Sequence, residues 1–135
     1  MRRIVFILIL ALAASCASAQ TIAEGAYKGT YKGSAENSAG DVRLTLAKNG
    51  DRWNASFTFT ANGQDVSCKT TSVEASGEKL KFVCAWGVDG YALETTSDVE
   101  AKGARLQATY RTVVKSEGSR LDEGTWTATL EEKKP

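Results

Sequence analysis

The chain contains no histidine and one proline, and only two of its three cysteines, Cys68 and Cys84, lie beyond the first twenty residues. Without histidine there is no side chain whose ordinary pKa suits proton transfer near neutrality, nor the usual nitrogen ligand for zinc, copper or haem. A Ser-His-Asp hydrolase is excluded, and neither a metal site nor a cofactor is expected. The sequence also lacks an excess of charge of either sign: 17 Lys+Arg against 16 Asp+Glu leave a net charge of +1. No basic field exists to displace counterions from phosphates, so nucleic acid is not an expected partner. At 135 residues, with 42% apolar and 24% charged side chains, the chain suits one small domain.

The one long apolar run is at the start. Arg2 and Arg3 precede Ile4 to Ala14, and Ala17-Ser18-Ala19 follows before Gln20. This is the order of a secretory signal with an A-x-A cleavage site, and the run is shorter than the roughly 20 residues of a spanning helix. Residues 1–19 are expected to be a signal peptide and 20–135 a single domain that is secreted or periplasmic. A second processing route is open, because Leu12-Ala13-Ala14-Ser15-Cys16 resembles a bacterial lipobox, which would make the protein a lipoprotein anchored through Cys16. Removing the leader takes away Arg2 and Arg3 and leaves a net charge of −1. In an oxidising compartment Cys68 and Cys84 are expected to form a disulfide.

From Tyr27 onward apolar and polar residues alternate, with glycine-containing breaks at short intervals, the pattern of consecutive hairpins. A turn centred on Asn49-Gly50 would pair Leu46 with Trp53, Leu44 with Ala55 and Val42 with Phe57. Asn62-Gly63 would pair Phe59 with Val66 and Phe57 with Cys68. A three-residue loop at Ala75-Ser76-Gly77 puts Ser72 opposite Leu80 and Cys68 opposite Cys84, where a disulfide can close. Gly87 to Gly90 would align Trp86 with Tyr91 and Cys84 with Leu93; Lys102-Gly103 would align Val99 with Leu106 and Thr95 with Tyr110. The last strand carries Trp126, Ala128 and Leu130 on one face, and the first carries Tyr27, Gly29 and Tyr31.

The expected fold is therefore all-β: an eight-stranded antiparallel up-and-down (meander) β-barrel, closed by joining first strand to last. Lys28, Lys32, Arg43, Lys69, Lys81 and Arg105 fall on the outer face, so the barrel is not expected to span a membrane, where that face would be apolar. Short turns gather at the end that holds the termini. Longer loops, at about 33–41 and 115–123, gather at the other, where a barrel commonly places its binding function.

Tyr31, Phe59, Trp86, Tyr91 and Trp126 point inward near that mouth. Thr70, Ser72, Thr95, Ser97, Tyr110 and Thr112 add hydroxyls deeper in. Either these side chains fill the barrel, or they wall a cavity whose hydroxyls orient a ligand. Glu94, Asp98 and Glu100 fall outward, while Asp89, Asp122 and Glu123 fall in loops. All six read as solvated charge. With no inward acid pair there are no candidate catalytic residues, and the chain is not expected to be an enzyme.

Gly29-Thr30-Tyr31 resembles the Gly-x-Trp of a first lipocalin strand, with tyrosine in place of tryptophan. With the eight-strand meander and a long first loop at the open end, the chain resembles the calycin group of lipocalin-like and avidin-like barrels. It lacks the helix that usually follows a lipocalin barrel. The resemblance implies non-covalent binding of a small apolar or amphipathic molecule, and the candidate ligand-binding residues are Tyr31, Phe59, Trp86, Tyr91, Tyr110 and Trp126. A protein partner contacted through the loops is the alternative expectation, and periplasmic lysozyme inhibitors resemble the chain in size, export and barrel form.

Overall fold

A computed structural model describes residues 22–131. Residues 1–21, with the expected signal peptide and Cys16, and the last four residues lie outside them. Eight strands follow in order: β1 (Gly25–Gly33), β2 (Ala39–Asn49), β3 (Arg52–Ala61), β4 (Gln64–Ser76), β5 (Lys79–Val88), β6 (Tyr91–Lys102), β7 (Arg105–Val114) and β8 (Arg120–Leu130). Each pairs antiparallel with the next, and β1 pairs with β8 to close the barrel, with Tyr27 opposite Leu130, Gly29 opposite Ala128 and Tyr31 opposite Trp126. No helix occurs among the described residues, and none is long and apolar enough to cross a membrane. The outer positions Lys28, Lys32, Arg43, Lys69, Lys81 and Arg105 are all exposed.

The turns fall into two chemical classes, one at each end. At the end of the chain termini the loops are Gly50-Asp51, Gly77-Glu78 and Gly103-Ala104. In each only the glycine has a positive φ, at 62°, 61° and 63°, which is the sign pattern of a type II′ turn. At the opposite end Asn62-Gly63 and Asp89-Gly90 have positive φ at both residues, 52° and 76°, then 50° and 79°, the pattern of type I′. Both classes match the twist of the strands they join.

This geometry corrects most of the expected pairings. The register at Asn62-Gly63 is as expected, with Phe59 opposite Val66 and Phe57 opposite Cys68. At the other hairpins the register differs. Leu46 faces Ala55, Leu44 faces Phe57 and Val42 faces Phe59, because Asn49 is still in its strand and Gly50 opens the turn. Trp86 faces Leu93 and Cys84 faces Thr95, because two residues rather than four make the Asp89-Gly90 turn. Val99 faces Ala108 and Thr95 faces Thr112. These three pairings each move by two positions, so the inward and outward faces survive.

The β4–β5 pair differs in kind. Near the two-residue turn Val73 faces Phe82 and Ala75 faces Leu80, so Ser72 is exposed on the outside; a bulge between Thr70 and Ser72 then returns Thr70 to face Cys84. Cys68 and Cys84 are therefore not directly opposed. They are offset by two residues, yet their Cα atoms are 5.3 Å apart and the disulfide forms inside the barrel. With a sequence separation of 16, the crosslink stabilises by about 3 kcal/mol through loop-closure entropy. The longer loops are also tighter than expected, reduced to 34–38 and 115–119 by strands that run further.

Alternation on all eight strands builds one core. Leu44, Leu46, Leu80, Val99, Leu106 and Ala128 fill the terminus end. Ile22, before β1, is also buried in that cluster, and the Tyr27 hydroxyl donates to the Ala23 carbonyl at 2.6 Å, so the incoming segment folds back against the barrel. Each of these buried leucine, isoleucine and valine side chains contributes about 1.5–3 kcal/mol. Above them lies a band of Phe57, Phe82 and Trp126, with Phe57 5.2 Å from Phe82 and 5.6 Å from Trp126 between ring centres.

Candidate functional site

Beyond that band the packing opens. A cavity of about 470 Å³ lies in the mouth, within the range of small-molecule sites. Phe57 and Trp126 form its floor, while Tyr31, Phe59, Trp86 and Tyr110 line its wall. The rings touch in sequence: Tyr110 to Tyr31 at 6.2 Å, Tyr31 to Phe59 at 5.8 Å and Phe59 to Trp86 at 5.0 Å, each edge to face. Such contacts fix ring orientation beyond what burial alone does.

Hydroxyls hold the rings from behind. The Trp86 indole donates to Thr95 Oγ1 at 2.9 Å, and Thr95 and Thr112 share a hydrogen bond of 2.7 Å. The Trp126 indole donates to Ser97 Oγ at 3.1 Å, and the Tyr31 hydroxyl donates to the Thr60 carbonyl at 2.6 Å. Among the described residues no buried side-chain nitrogen or oxygen lacks a partner. The interior is therefore both of the expected alternatives at once: packed at one end and hollow at the other.

The rim is tied by a carboxylate. Asp122, on β8 and half-buried, accepts the Ser38 hydroxyl at 2.5 Å and the Tyr110 hydroxyl at 2.8 Å on Oδ2, and the Ala35 amide at 3.0 Å on Oδ1. The Ser34 amide reaches the Glu123 carbonyl at 2.8 Å beside it. Together these bonds fasten the 34–38 loop to β8. Burial alone would raise the Asp122 pKa, but the donors Ser38, Ala35 and Tyr110 outweigh it and hold the carboxyl below its ordinary value. Burial and then the nearby Asp122 charge push Tyr31 up. Tyr110 rises strongly, through burial first and then its bond to Asp122, so it stays a neutral donor. Gly33 makes the knot possible, because a Cβ there would overlap the Asp122 carboxylate and the Ser38 and Tyr110 hydroxyls.

Five of the six candidate residues, Tyr31, Phe59, Trp86, Tyr110 and Trp126, thus come together around one cavity. Tyr91 does not. It pairs with Val88 beside the Asp89-Gly90 turn, is 59% exposed and lies outside the cavity lining. Asp122 is the residue that sequence reasoning misplaced: it is no loop carboxylate in solvent, but the inward continuation of Trp126 and Gly124. Carrying the alternation back along β8 by two more steps would have found it. Among the described residues no group of acidic or sulfur side chains could hold a metal.

A larger concavity of about 1000 Å³ lies along β4 to β8, edged by Lys79, Lys81, Asp98, Glu100 and Gln107 and reaching the buried Leu80, Val99, Ala108 and Trp126. It is more open to solvent than the mouth cavity, which gathers the candidate residues and is the better candidate. No protein-family model matches the chain, and comparison with curated proteins and with solved structures returns no significant match.

Proposed function

We propose that this protein is an exported, calycin-like binding protein that holds a small apolar or amphipathic molecule in the mouth of its barrel, without catalysing a reaction. The observation that carries the reading is the aromatic cavity itself. A barrel packed for stability alone would fill that volume, since voids cost dispersion contacts. Here hydrogen bonds to Thr95, Ser97 and Thr60 instead anchor the rings around the open volume. The buried disulfide and the secretory leader support a secreted or periplasmic location. The charged outer face supports a soluble barrel.

N-phenyl-1-naphthylamine, an uncharged dye that brightens in apolar surroundings, tests the reading. It is expected to bind one per chain, and Trp86→Ala to weaken it about tenfold, the scale of losing one aromatic wall. Absence of saturable binding, or unchanged binding in Trp86→Ala, would sink the site.

One observation favours a second reading, a protein partner. Val88, Tyr91 and Leu121 are 42%, 59% and 51% exposed, and all three stand at the open end. The bulge opposite Thr112 and Val113 leaves Leu121 without a cross-strand partner at the rim. A partner docking there would be lost in Tyr91→Ser and Val88→Ser, neither of which lines the cavity, while dye binding persists.

A further inference from the structure

The hydrogen atoms on the cavity floor can be counted. Thr95 accepts the Trp86 indole hydrogen and shares one hydrogen bond with Thr112. Two hydroxyls own two hydrogens, and only one can lie between them. Whichever threonine donates, the other keeps a hydrogen with no acceptor among the described residues. Ser97 accepts the Trp126 indole in the same way, and its own hydrogen is likewise uncommitted. These residues are only 5%, 4% and 0% exposed for Thr95, Thr112 and Ser97, and all three line the cavity. The tyrosines differ, because Tyr31 and Tyr110 already donate to Thr60 and Asp122.

The rim adds a constraint of charge. Glu36 and Asp122 line the cavity, and no lysine or arginine does. An anion entering would lose its hydration, meet no cation and face the Asp122 carboxylate. Buried donor hydrogens without acceptors favour the opposite chemistry, a neutral oxygen that accepts them.

We propose that the ligand is an uncharged molecule with an aromatic or apolar body and an oxygen acceptor, a carbonyl or ether, at the end that enters first. This rests on the mouth cavity being a ligand site. The body would lie against Phe59 and Trp86 while the oxygen reaches Ser97 and the Thr95–Thr112 pair.

Calorimetric titration with three probes of one shape tests it: naphthalene, 2-acetylnaphthalene and 2-naphthoate. The ketone is expected to bind about tenfold tighter than the hydrocarbon, the scale of two modest hydrogen bonds, and the carboxylate to bind most weakly. Ser97→Ala should reduce the ketone's preference over naphthalene at least threefold. Equal binding of ketone and hydrocarbon, tightest binding of the carboxylate, or an unchanged preference in Ser97→Ala would overturn the inference and leave the cavity reading standing. No binding of any probe would overturn both. Should Ser97→Ala fail to fold, the carbonyl stretch of the bound ketone in the unaltered chain decides. A shift to lower wavenumber than in alkane solution supports the inference, and an unshifted band overturns it.

Discussion

At the end where the chain enters and leaves the barrel, three Gly-first turns close over Leu44, Leu46, Leu80 and Leu106, and Ile22 folds back into the same cluster. At the other end two type I′ turns and two five-residue loops surround a cavity whose rings hang on hydroxyls. The same alternation runs through both halves. What changes is the balance of residue types at inward positions, mainly aliphatic below the Phe57–Phe82–Trp126 band and mainly aromatic or hydroxyl-bearing above it. An aliphatic layer gains only by close packing, whereas an aromatic ring pinned by one hydrogen bond can stand at the edge of a void. One half of the molecule is therefore close-packed, and the other half leaves the cavity that the proposed ligand would occupy.

That division can be broken most severely from below. Leu106→Ala removes a side chain with no exposure and should lower unfolding free energy by about 2–5 kcal/mol in urea titration, with dye affinity per folded molecule unchanged. A comparable loss of dye affinity would erase the distinction between the halves. Replacing both cysteines by alanine should cost about 3 kcal/mol, read as a lower unfolding midpoint, because the disulfide constrains the unfolded chain.

Asp122→Asn acts on the mouth and should cost less, about 1 kcal/mol once solvent access is discounted. Its signature is pH dependence. The native carboxyl titrates below its ordinary value, so its contribution is fully present above about pH 4 and is lost as pH falls through the native pKa. As pH falls below about 4, the unaltered chain should lose stability more steeply than Asp122→Asn. Parallel curves would remove Asp122 from the rim's fastening. The smallest effect is expected at the terminus end, where Lys102 and Glu100 meet at 2.9 Å on the solvent-facing side of the barrel. Lys102→Met should leave the unfolding midpoint unmoved.

How far the chain could be read from its residues follows the same division. Period-two alternation from Tyr27 to Leu130 dictates eight strands and their faces, because a shift of two positions leaves every side chain on its own side. The turn register was less legible: Asn-Gly reads as a type I′ pair, and at Asn62-Gly63 it is one, but at Asn49-Gly50 the glycine opens the turn instead. Nothing local distinguishes the two dipeptides; the neighbouring strands choose. Bulges at Thr71 and Leu121 carry no composition signal either, and the first of them turned Ser72 outward. Asp122 was obscured by its charge, which suggested solvent, although its place two steps from Gly124 on the inward face pointed to Tyr110 and Ser38.

The three tryptophans sample the barrel at three levels: Trp53 opposite Lys48 near the terminus end, Trp126 in the middle band and Trp86 on the cavity wall. Their indole N–H resonances therefore test the division directly during titration with 2-acetylnaphthalene. The account predicts that the Trp86 and Trp126 signals shift together and saturate at one ligand per chain while Trp53 stays in place. Movement of Trp53 alone, or equal movement of all three, would contradict a packed half beneath a binding half.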